Sequence, residues 1–286
     1  FWPGPQLSFV DVDPITLETR TTSLFGGGSV SDVPPAGRWG YRRIARNGSP
    51  SVESSRDARR ADISVVNWPQ IDFWEAPVVD SANAEEALRR AGELSLSFVY
   101  WLQQEAPREG GGYGYPEIRL RGDLFGTSHG LAREPYIRES RRIVAEYTIT
   151  ETDVGTEARD GQVGATLFSD SIGLASYRID LHPSTGGDTY IDIESWPAQI
   201  PLGSLIPVRA DNLIPAAKNI GTTHITNGMY RLHPVEWNVG EAAGALAATA
   251  IQNGESPRAI RNDPDRLEQF QNFVHRQLWF ELVWPE

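Results

Sequence analysis

Five side chains that could bind a ligand or move a proton occur within residues 222–237. They are His224, Asn227, Arg231, His233 and Glu236. Imidazole, amide, guanidinium and carboxylate groups together supply hydrogen-bond donors, acceptors and charge. The stretch is expected to be a loop between two regular elements. This concentration of polar and ionisable groups predicts a ligand-binding site.

An apolar segment precedes this stretch and a run of small residues follows it. Leu213 to Ala217 is a short apolar run, which predicts a strand buried on both faces. Residues Gly240 to Ile251 are mostly alanine and glycine, which predicts a helix able to lie close to another backbone or a flat ligand. The N-terminus of such a helix offers free N–H groups and a partial positive charge. Strand, polar loop and helix N-terminus together predict a ligand cradle.

A second group of charged residues precedes a predicted strand. It contains Arg138, Glu139, Arg141 and Arg142. One interpretation is a solvated cluster of salt bridges, which contributes little to stability. The other is a clamp for an anion or carboxylate, because arginine presents a planar bidentate fork. Both interpretations stay open at this point.

The composition argues against several classes of protein. A net charge of -12 and a pI near 4.9 disfavour a broad phosphate-binding surface, and hence nucleic acid. The chain has no cysteine, which excludes disulfides, thiolate nucleophiles and iron–sulfur clusters. Its five histidines form no HExxH or HxH pair, so a metal site is not expected. No apolar run approaches the length of a membrane-spanning helix.

The remaining patterns predict the elements around the site. Asn83 and Glu86 form a capping-box pattern ahead of apolar residues at helical spacing, which predicts a helix over residues 83–105. Asp263 and Pro264 predict the N-cap and first residue of a second amphipathic helix. Strands are predicted within residues 38–46, 62–74, 143–149 and 168–183. Few helices separate these strands, which predicts an α+β fold with a mixed or mostly antiparallel sheet.

Four segments carry a resemblance to a known family: PYIRESRRIVAEY, FSDSIGLASYRIDLHP, IPLGSLIPVRADNLIPAAKNIGTTHITNGMYRLHP and EWNVGEAAGALAA. They resemble the C-terminal half of bacterial FAD-dependent oxidoreductases of the glutathione-reductase-like flavoprotein superfamily. The most similar group includes proteins described as xanthan-lyase-like. The resemblance covers roughly residues 38–285, and it is specific from residue 135 onward because several long stretches match in order.

The resemblance implies FAD as the cofactor. In this superfamily the strand equivalent to residues 212–220 and the helix equivalent to residues 240–251 complete the FAD site. The helix N-terminus points at the pyrimidine edge of the flavin, where negative charge accumulates on reduction. Lys218 and Asn219 stand where the family usually has a Gly-Asp pair. The implied cofactor-binding residues are Lys218, Asn219, Ile220, Asn238, Val239, Gly240 and Glu241.

The implied reaction is hydride transfer from an alcohol- or amine-type small molecule to FAD. Such an oxidation needs a base, and histidine suits neutral pH. His233 is expected to be that base, with His224 as second candidate and Arg231 positioning substrate or balancing flavin charge. Residues 1–200 are expected to form mainly the substrate domain with strands contributed to the FAD domain, and residues 201–286 the C-terminal part of the FAD-binding domain. The expected substrate-side residues are Arg138, Trp68 and Glu236.

One part of the family pattern does not occur in this sequence. The family begins with a strand, a GxGxxG motif and a helix that bind the ADP half of FAD, and the chain contains no GxGxxG. Phe1 is not an initiator methionine, and no signal-peptide pattern follows it. The chain is therefore expected to be a processed, split or truncated piece. A second polypeptide or a missing N-terminal segment is expected to supply the ADP-binding half, which would make a hetero-oligomer. No compartment is predicted.

A function of a different class stays open. The acidic, aromatic-rich residues 38–120 could form a non-catalytic module that binds a carbohydrate or a partner protein. Trp39, Trp68 and Trp74 either fill a core or line a cleft. A polysaccharide lyase follows only from the naming of the family group, and no residue supports it independently.

Overall fold

The computed structural model describes residues 7–12, 18–19, 39–40, 42–45, 62–108, 110–188 and 190–284. The chain divides into two units. Unit 1 comprises Phe1–Pro135 and His182–Thr189, and unit 2 comprises Tyr136–Leu181 and Tyr190–Glu286. The boundary expected near residue 200 lies inside unit 2, and the roles predicted for the two domains stay predictions. Phe1, on which the prediction of a processed chain depends, lies outside the described residues.

The main helix of unit 1 is α1, Ala84–Gln104, which confirms the helix predicted over residues 83–105. Asn83 is its N-cap but makes no side-chain capping hydrogen bond, so apolar spacing rather than the capping box explains the helix. A shorter helix, α2, spans Gly122–Phe125. The buried face of α1 builds an aromatic core in which Phe98 stacks on Trp101 at a centroid distance of 5.7 Å.

The strands of unit 1 are short. β1, Arg43–Ala45, pairs antiparallel with β2, Ile63–Ser64. The strand predicted over residues 62–74 does not extend further, because Pro69 begins a 3-10 turn over Pro69–Ile71. Trp68, just before this turn, is buried in the aromatic core, whereas Trp39 is half-buried and Trp74 is exposed.

Unit 2 contains two small antiparallel sheets. β3, Ser171–Ala175, pairs with β6, Ala198–Pro201. β4, Ile179–Leu181, pairs with β5, Ile191–Ile193, with Asp180 opposite Asp192. The strand predicted over residues 168–183 is therefore two strands that belong to different sheets. The segment 143–149 makes isolated bridges at Ala145 and Ile149 in place of the predicted strand.

Five helices complete unit 2. They are α3 (Glu151–Val154), α4 (His224–Tyr230), α5 (His233–Asn253), α6 (Pro257–Asn262) and α7 (Pro264–Leu278). α5 packs on β3 and buries its alanine-rich face in the hydrophobic core of the unit. The Asp263 side chain accepts hydrogen bonds from the first turn of α7, which confirms the predicted cap. Helices with small antiparallel sheets confirm the α+β fold class.

Two predictions around residues 211–240 are wrong. Leu213–Ala217 is not a strand, and Leu213 is exposed, since a short apolar run alone does not specify a buried strand. Residues 222–237 are not a loop but form α4 and the start of α5. The helix of small residues begins at His233, about two turns before Gly240, because Pro234 fits the first turn of a helix.

Two features are absent from the residues that the structure describes. No helix among them has the length and apolar character needed to cross a membrane. The same residues contain no group of three or more His, Cys, Asp or Glu side chains placed to hold a metal ion.

Candidate functional site

Helix α4 places three of the polar residues on one face. The Thr223 hydroxyl accepts from the Thr226 N–H at 3.1 Å, and the Thr226 hydroxyl accepts from the Thr223 N–H at 3.0 Å. This reciprocal cap fixes the helix start at His224. His224, Asn227 and Arg231 then follow at spacings of three and four, so they share a face of the helix.

Other residues of α4 anchor the helix in unit 2. Met229 and Tyr230 are fully buried there. Burial raises the pKa of Tyr230, so its hydroxyl stays protonated and donates to the Gln199 carbonyl at 2.9 Å. Gly228 lies against β4, where an added Cβ would meet the Asp180 carbonyl oxygen at 2.9 Å. These contacts hold the polar face of α4 in a fixed position.

Arg231 is a buried cation, with a side chain 5% exposed. Its Nη2 donates to the Asp180 carbonyl at 2.7 Å, and its Nε lies 3.2 Å from Glu139 Oε1. The two charges attract, but neither Nε nor Oε1 makes an aligned hydrogen bond within the described structure. Glu139 thus compensates the charge of Arg231 while both atoms keep hydrogen-bonding capacity.

Asn227 is the most buried residue of this face, at 1% exposed. Its Nδ2 donates to the Lys218 carbonyl at 2.9 Å and to the Thr222 hydroxyl at 3.3 Å. Its Oδ1 is also buried and has no hydrogen-bond partner in the part of the chain that the structure describes. A buried amide oxygen without a donor is uncommon in folded proteins.

Lys218 links α4 to the segment 136–138. Its Nζ donates to the Ile137 carbonyl and lies 4.8 Å from the centroid of the Tyr136 ring. The Arg138 guanidinium lies 5.6 Å from the same ring. Contacts therefore connect Ile137, Lys218, Asn227, Arg231 and Glu139 in series, and the backbone from Ile137 to Glu139 closes the series into what we call the contact ring.

The predicted cofactor residues on α5 serve the packing of the helix. Asn238 Oδ1 accepts from the Leu174 N–H at 3.1 Å and occupies the space beside Gly173. Val239 is buried in the core, and Gly240 lies against the Ala216 carbonyl. Because α5 begins at His233, the N–H groups of residues 238–240 lie inside the helix rather than at its tip. Their role as cofactor contacts stays a prediction.

The other predicted residues have different surroundings. Asn219 and Glu241 are exposed, and Ile220 is fully buried. His233 is exposed at the start of α5, and Glu236 is half-buried in the same turn. Trp68 belongs to unit 1, whereas α4 and α5 belong to unit 2.

Sequence analysis named Asn227 and Glu139 but did not predict the contacts that the structure gives them. A signal for Asn227 existed: Thr223 and Thr226 form a capping pattern, and a helix from residue 224 puts Asn227 on the face of Arg231. Glu139 had no such signal, because its partner lies far along the chain and pairing depends on tertiary structure.

Comparison with known proteins adds one positive finding. A family model described as FAD dependent oxidoreductase matches residues 31–274. Comparisons with curated proteins and with solved structures gave no significant match. The matched residues make up most of the chain and include α4, the contact ring and α5. The chain belongs to the FAD dependent oxidoreductase family.

Proposed function

We propose that this chain oxidises an alcohol- or amine-type small molecule by hydride transfer to FAD, and that unit 2 holds the isoalloxazine end of the cofactor. The family assignment gives FAD as the cofactor and flavin-dependent oxidoreduction as the class of reaction. The observation that carries the finer proposal is the polar face of α4, where Asn227 Oδ1 and Arg231 Nε are buried without aligned hydrogen bonds in the described chain.

These two atoms fit the edge of a flavin. The pyrimidine ring of isoalloxazine carries an N–H group between two carbonyl oxygens. Asn227 Oδ1 can accept from that N–H, and Arg231 Nε can donate to a carbonyl oxygen. Asn227 and Arg231 lie four residues apart on one helix face, so a single planar group could contact both. Lys218, whose carbonyl holds Asn227, stays a proposed cofactor-binding residue.

The start of α5 adds positive potential to the same unit. α5 is 21 residues long, and its first turn carries N–H groups that the helix itself does not use. When bound, FAD accepts the hydride that leaves the substrate carbon. The charge of Arg231 and the N-terminus of α5 would stabilise negative charge on the reduced cofactor.

Two histidines are candidates for the proton acceptor. His224 is half-buried and shares the α4 face with Arg231, which supports it as the base. His233, the first choice from sequence, is exposed at the start of α5 with Glu236 in the same turn. We propose Arg138 and Glu236 as substrate-side residues of unit 2. Arginine would suit a substrate carboxylate, and glutamate an ammonium group.

Anaerobic flavin reduction tests the assignment of the base. The FAD-loaded protein would be mixed with excess alcohol or amine, and loss of flavin absorbance followed by stopped flow. His224→Asn should slow reduction by about 100-fold or more, the usual contribution of a positioned base. The matched control is His275→Asn, because His275 on α7 contacts the Phe280 carbonyl and belongs to no proposed site. A full reduction rate in His224→Asn would refute the assignment of His224, and a full rate in His233→Asn as well would exclude both histidines as the base.

We further propose that residues beyond this sequence hold the ADP half of FAD. The chain has no GxGxxG motif, and its net charge of -12 disfavours diphosphate binding by long-range attraction. Flavin fluorescence titration of the chain alone should show weak binding, and addition of a polypeptide carrying that motif should tighten it. Tight, stoichiometric FAD binding by the chain alone would contradict this part of the proposal.

The alternative of a non-catalytic sugar- or protein-binding surface has less support. Stacking on a surface needs exposed rings. Within residues 38–120 Trp74 and Tyr113 are exposed, but Trp68, Trp101 and Tyr115 are buried in the core of unit 1. The absorption spectrum after addition of FAD and of a polypeptide carrying the GxGxxG motif separates the two functions, since bound-flavin bands accompany only the oxidoreductase.

A further inference from the structure

Two polar side-chain atoms of unit 1 are buried without a hydrogen bond. They are Trp68 Nε1 and Gln70 Oε1, and no described residue supplies a partner for either. Trp68 is 3% exposed and Gln70 is 8% exposed. One atom is an obligate donor and the other an acceptor. Two such atoms within three residues form a local concentration that native structures seldom contain.

The backbone between these residues is fixed. Residues Pro69–Ile71 form a 3-10 turn, in which the Ile71 N–H donates to the Trp68 carbonyl at 3.0 Å. The Asp72 N–H closes the next turn on the Pro69 carbonyl at 3.2 Å. The Trp68 ring packs edge-on against Phe98 at 5.6 Å between centroids. The two buried atoms are therefore held by the fold and are not on a loose segment.

A buried histidine lies beside the same turn. His182, 7% exposed, contacts Asp72 Oδ2 through its Nδ1. An imidazole held in this way by a carboxylate has a fixed ring orientation, with Nε2 on the side away from Asp72. The chain returns to unit 1 only over His182–Thr189, and His182 is the first residue of that return. His182 is thus joined through Asp72 to the end of the turn that carries Trp68 and Gln70.

We propose that this turn recognises a hydroxyl group of a neutral polyhydroxy substrate, such as a sugar-type alcohol. A buried polar group without a partner costs its full desolvation penalty, so a fold that keeps two of them gains when a ligand pairs both. The indole N–H of Trp68 would donate to the hydroxyl oxygen, and the hydroxyl would donate to Gln70 Oε1. This inference rests on the proposed function, because it names the substrate class of the same oxidoreductase.

The chemistry of the turn selects among substrate classes. An ammonium group has no lone pair to accept from the Trp68 N–H, so the turn favours an alcohol over an amine. An anion is disfavoured, because Asp72 places a negative charge beside His182. Solvent does not reach either buried atom in this structure, so a ligand enters only when neighbouring side chains move. We expect slow association for that reason.

Binding to the FAD-loaded protein, with the polypeptide that carries the GxGxxG motif added, tests the proposal. The probes are D-glucose, D-mannose, D-xylose and myo-inositol, with cyclohexylamine as the amine, and affinity is measured by isothermal titration calorimetry. Gln70→Met removes the buried acceptor while nearly keeping the shape of the side chain. It should weaken binding of the best neutral probe by at least about tenfold without lowering the unfolding temperature. Trp68→Phe should weaken binding similarly.

The matched control is Gln103→Met on α1. The Gln103 side chain donates to the Ile118 carbonyl at 2.6 Å, so this variant removes a satisfied amide from the same unit. It should lower the unfolding temperature and leave the affinity unchanged. The same pattern in Gln70→Met, a lower unfolding temperature with unchanged affinity, would make the Gln70 amide structural and overturn the proposal. Failure of all four neutral probes to bind would also overturn it.

Flavin reduction separates this inference from the proposed function. If alcohols reduce the bound flavin but Gln70→Met and Trp68→Phe leave KM unchanged, the proposed hydroxyl-binding site is wrong. The proposed oxidoreductase reaction then stands. If neutral probes bind through Gln70 but reduce no flavin, the site stands and the proposed reaction is wrong.

Discussion

Replacing Glu139 by glutamine leaves Arg231 as a buried cation without its counter-charge. The substitution keeps the shape of the side chain and removes only the charge. In the structure the Glu139 carboxylate lies 3.2 Å from Arg231 Nε, and the two side chains are 15% and 5% exposed. The pair is therefore largely excluded from water, and its loss should lower stability.

The expected size follows from the burial and the remaining contacts. Removing one partner of a fully buried ion pair costs about 3–5 kcal/mol. Arg231 keeps its 2.7 Å hydrogen bond to the Asp180 carbonyl, and the pair lacks an aligned hydrogen bond. The loss should therefore be smaller, about 2–3 kcal/mol. A protein of roughly this size loses about 2–4 °C of unfolding temperature per kcal/mol, so the midpoint should fall by at least about 4 °C.

A double-mutant cycle measured by urea unfolding provides the assay. Arg231→Met leaves Glu139 without its cation, and the double variant removes both charges. The double variant leaves no unpaired charge buried. It should therefore lose less stability than the sum of the losses in the two single variants. Glu268→Gln is the control, since Glu268 is an exposed residue on α7, and it should change stability by less than about 0.5 kcal/mol.

Two results would refute the reasoning. One is a Glu139→Gln variant that unfolds at the same urea concentration as the parent. The other is strict additivity of the two single variants, which would mean that the charges are not coupled. In either case the contact ring would not be what holds Arg231 in place.

Two further predictions concern packing and pH. Gly228→Ala should lower the free energy of unfolding, measured in urea, by about 1–3 kcal/mol, because its Cβ would lie 2.9 Å from the Asp180 carbonyl oxygen. The control is Gly244→Ala, whose Cβ meets nothing within 4 Å and should cost no stability. Equal losses in the two variants would contradict the packing argument. Burial, with the charges of Asp180 and Asp192, raises the pKa of Tyr190 to about 12, above about 10 in the unfolded chain. The unfolded state then loses this proton first, so stability should fall as pH rises from about 10 to about 12. Tyr190→Phe should reduce that fall. An unchanged slope of stability against pH would contradict the raised pKa of Tyr190 as its cause.

Sequence patterns located the elements whose signals are local. α7 follows a side-chain cap at Asp263 and a proline at the first position, and both act within one turn. α1 follows from apolar spacing over 21 residues, which is long enough to define a buried face. In both cases neighbouring residues carry enough information to place the helix.

The site region was harder to predict because tertiary contacts decide its structure. α4 has seven residues, too few to be stable as an isolated helix. It forms because Met229 and Tyr230 are buried in the core, which a polar, histidine-containing sequence does not indicate. The residue types that matter, His224 and Arg231, were identifiable from sequence.

The partners of those residues were not identifiable. Glu139 and the Asp180 carbonyl reach Arg231 from segments far away in the chain, and no spacing rule relates them. The buried strand predicted over Leu213–Ala217 was wrong for a similar reason. Leu213 is exposed although its segment has the composition of a buried strand. Burial depends on which distant segments pack against a stretch of chain, and the residues next to that stretch do not reveal this.

The reactivity of Lys218 can be used to follow the contacts around its side chain. Lys218 is the sole lysine of the chain, and its Nζ donates to the Ile137 carbonyl above the Tyr136 ring. The amine nitrogen attacks an acylating reagent as the free base, and its contacts with the Ile137 carbonyl and the Tyr136 ring should slow that reaction. The rate of acylation at Lys218, separated by peptide mapping from acylation of the α-amino group, should therefore rise when the contact ring opens, and the measurement needs no introduced label.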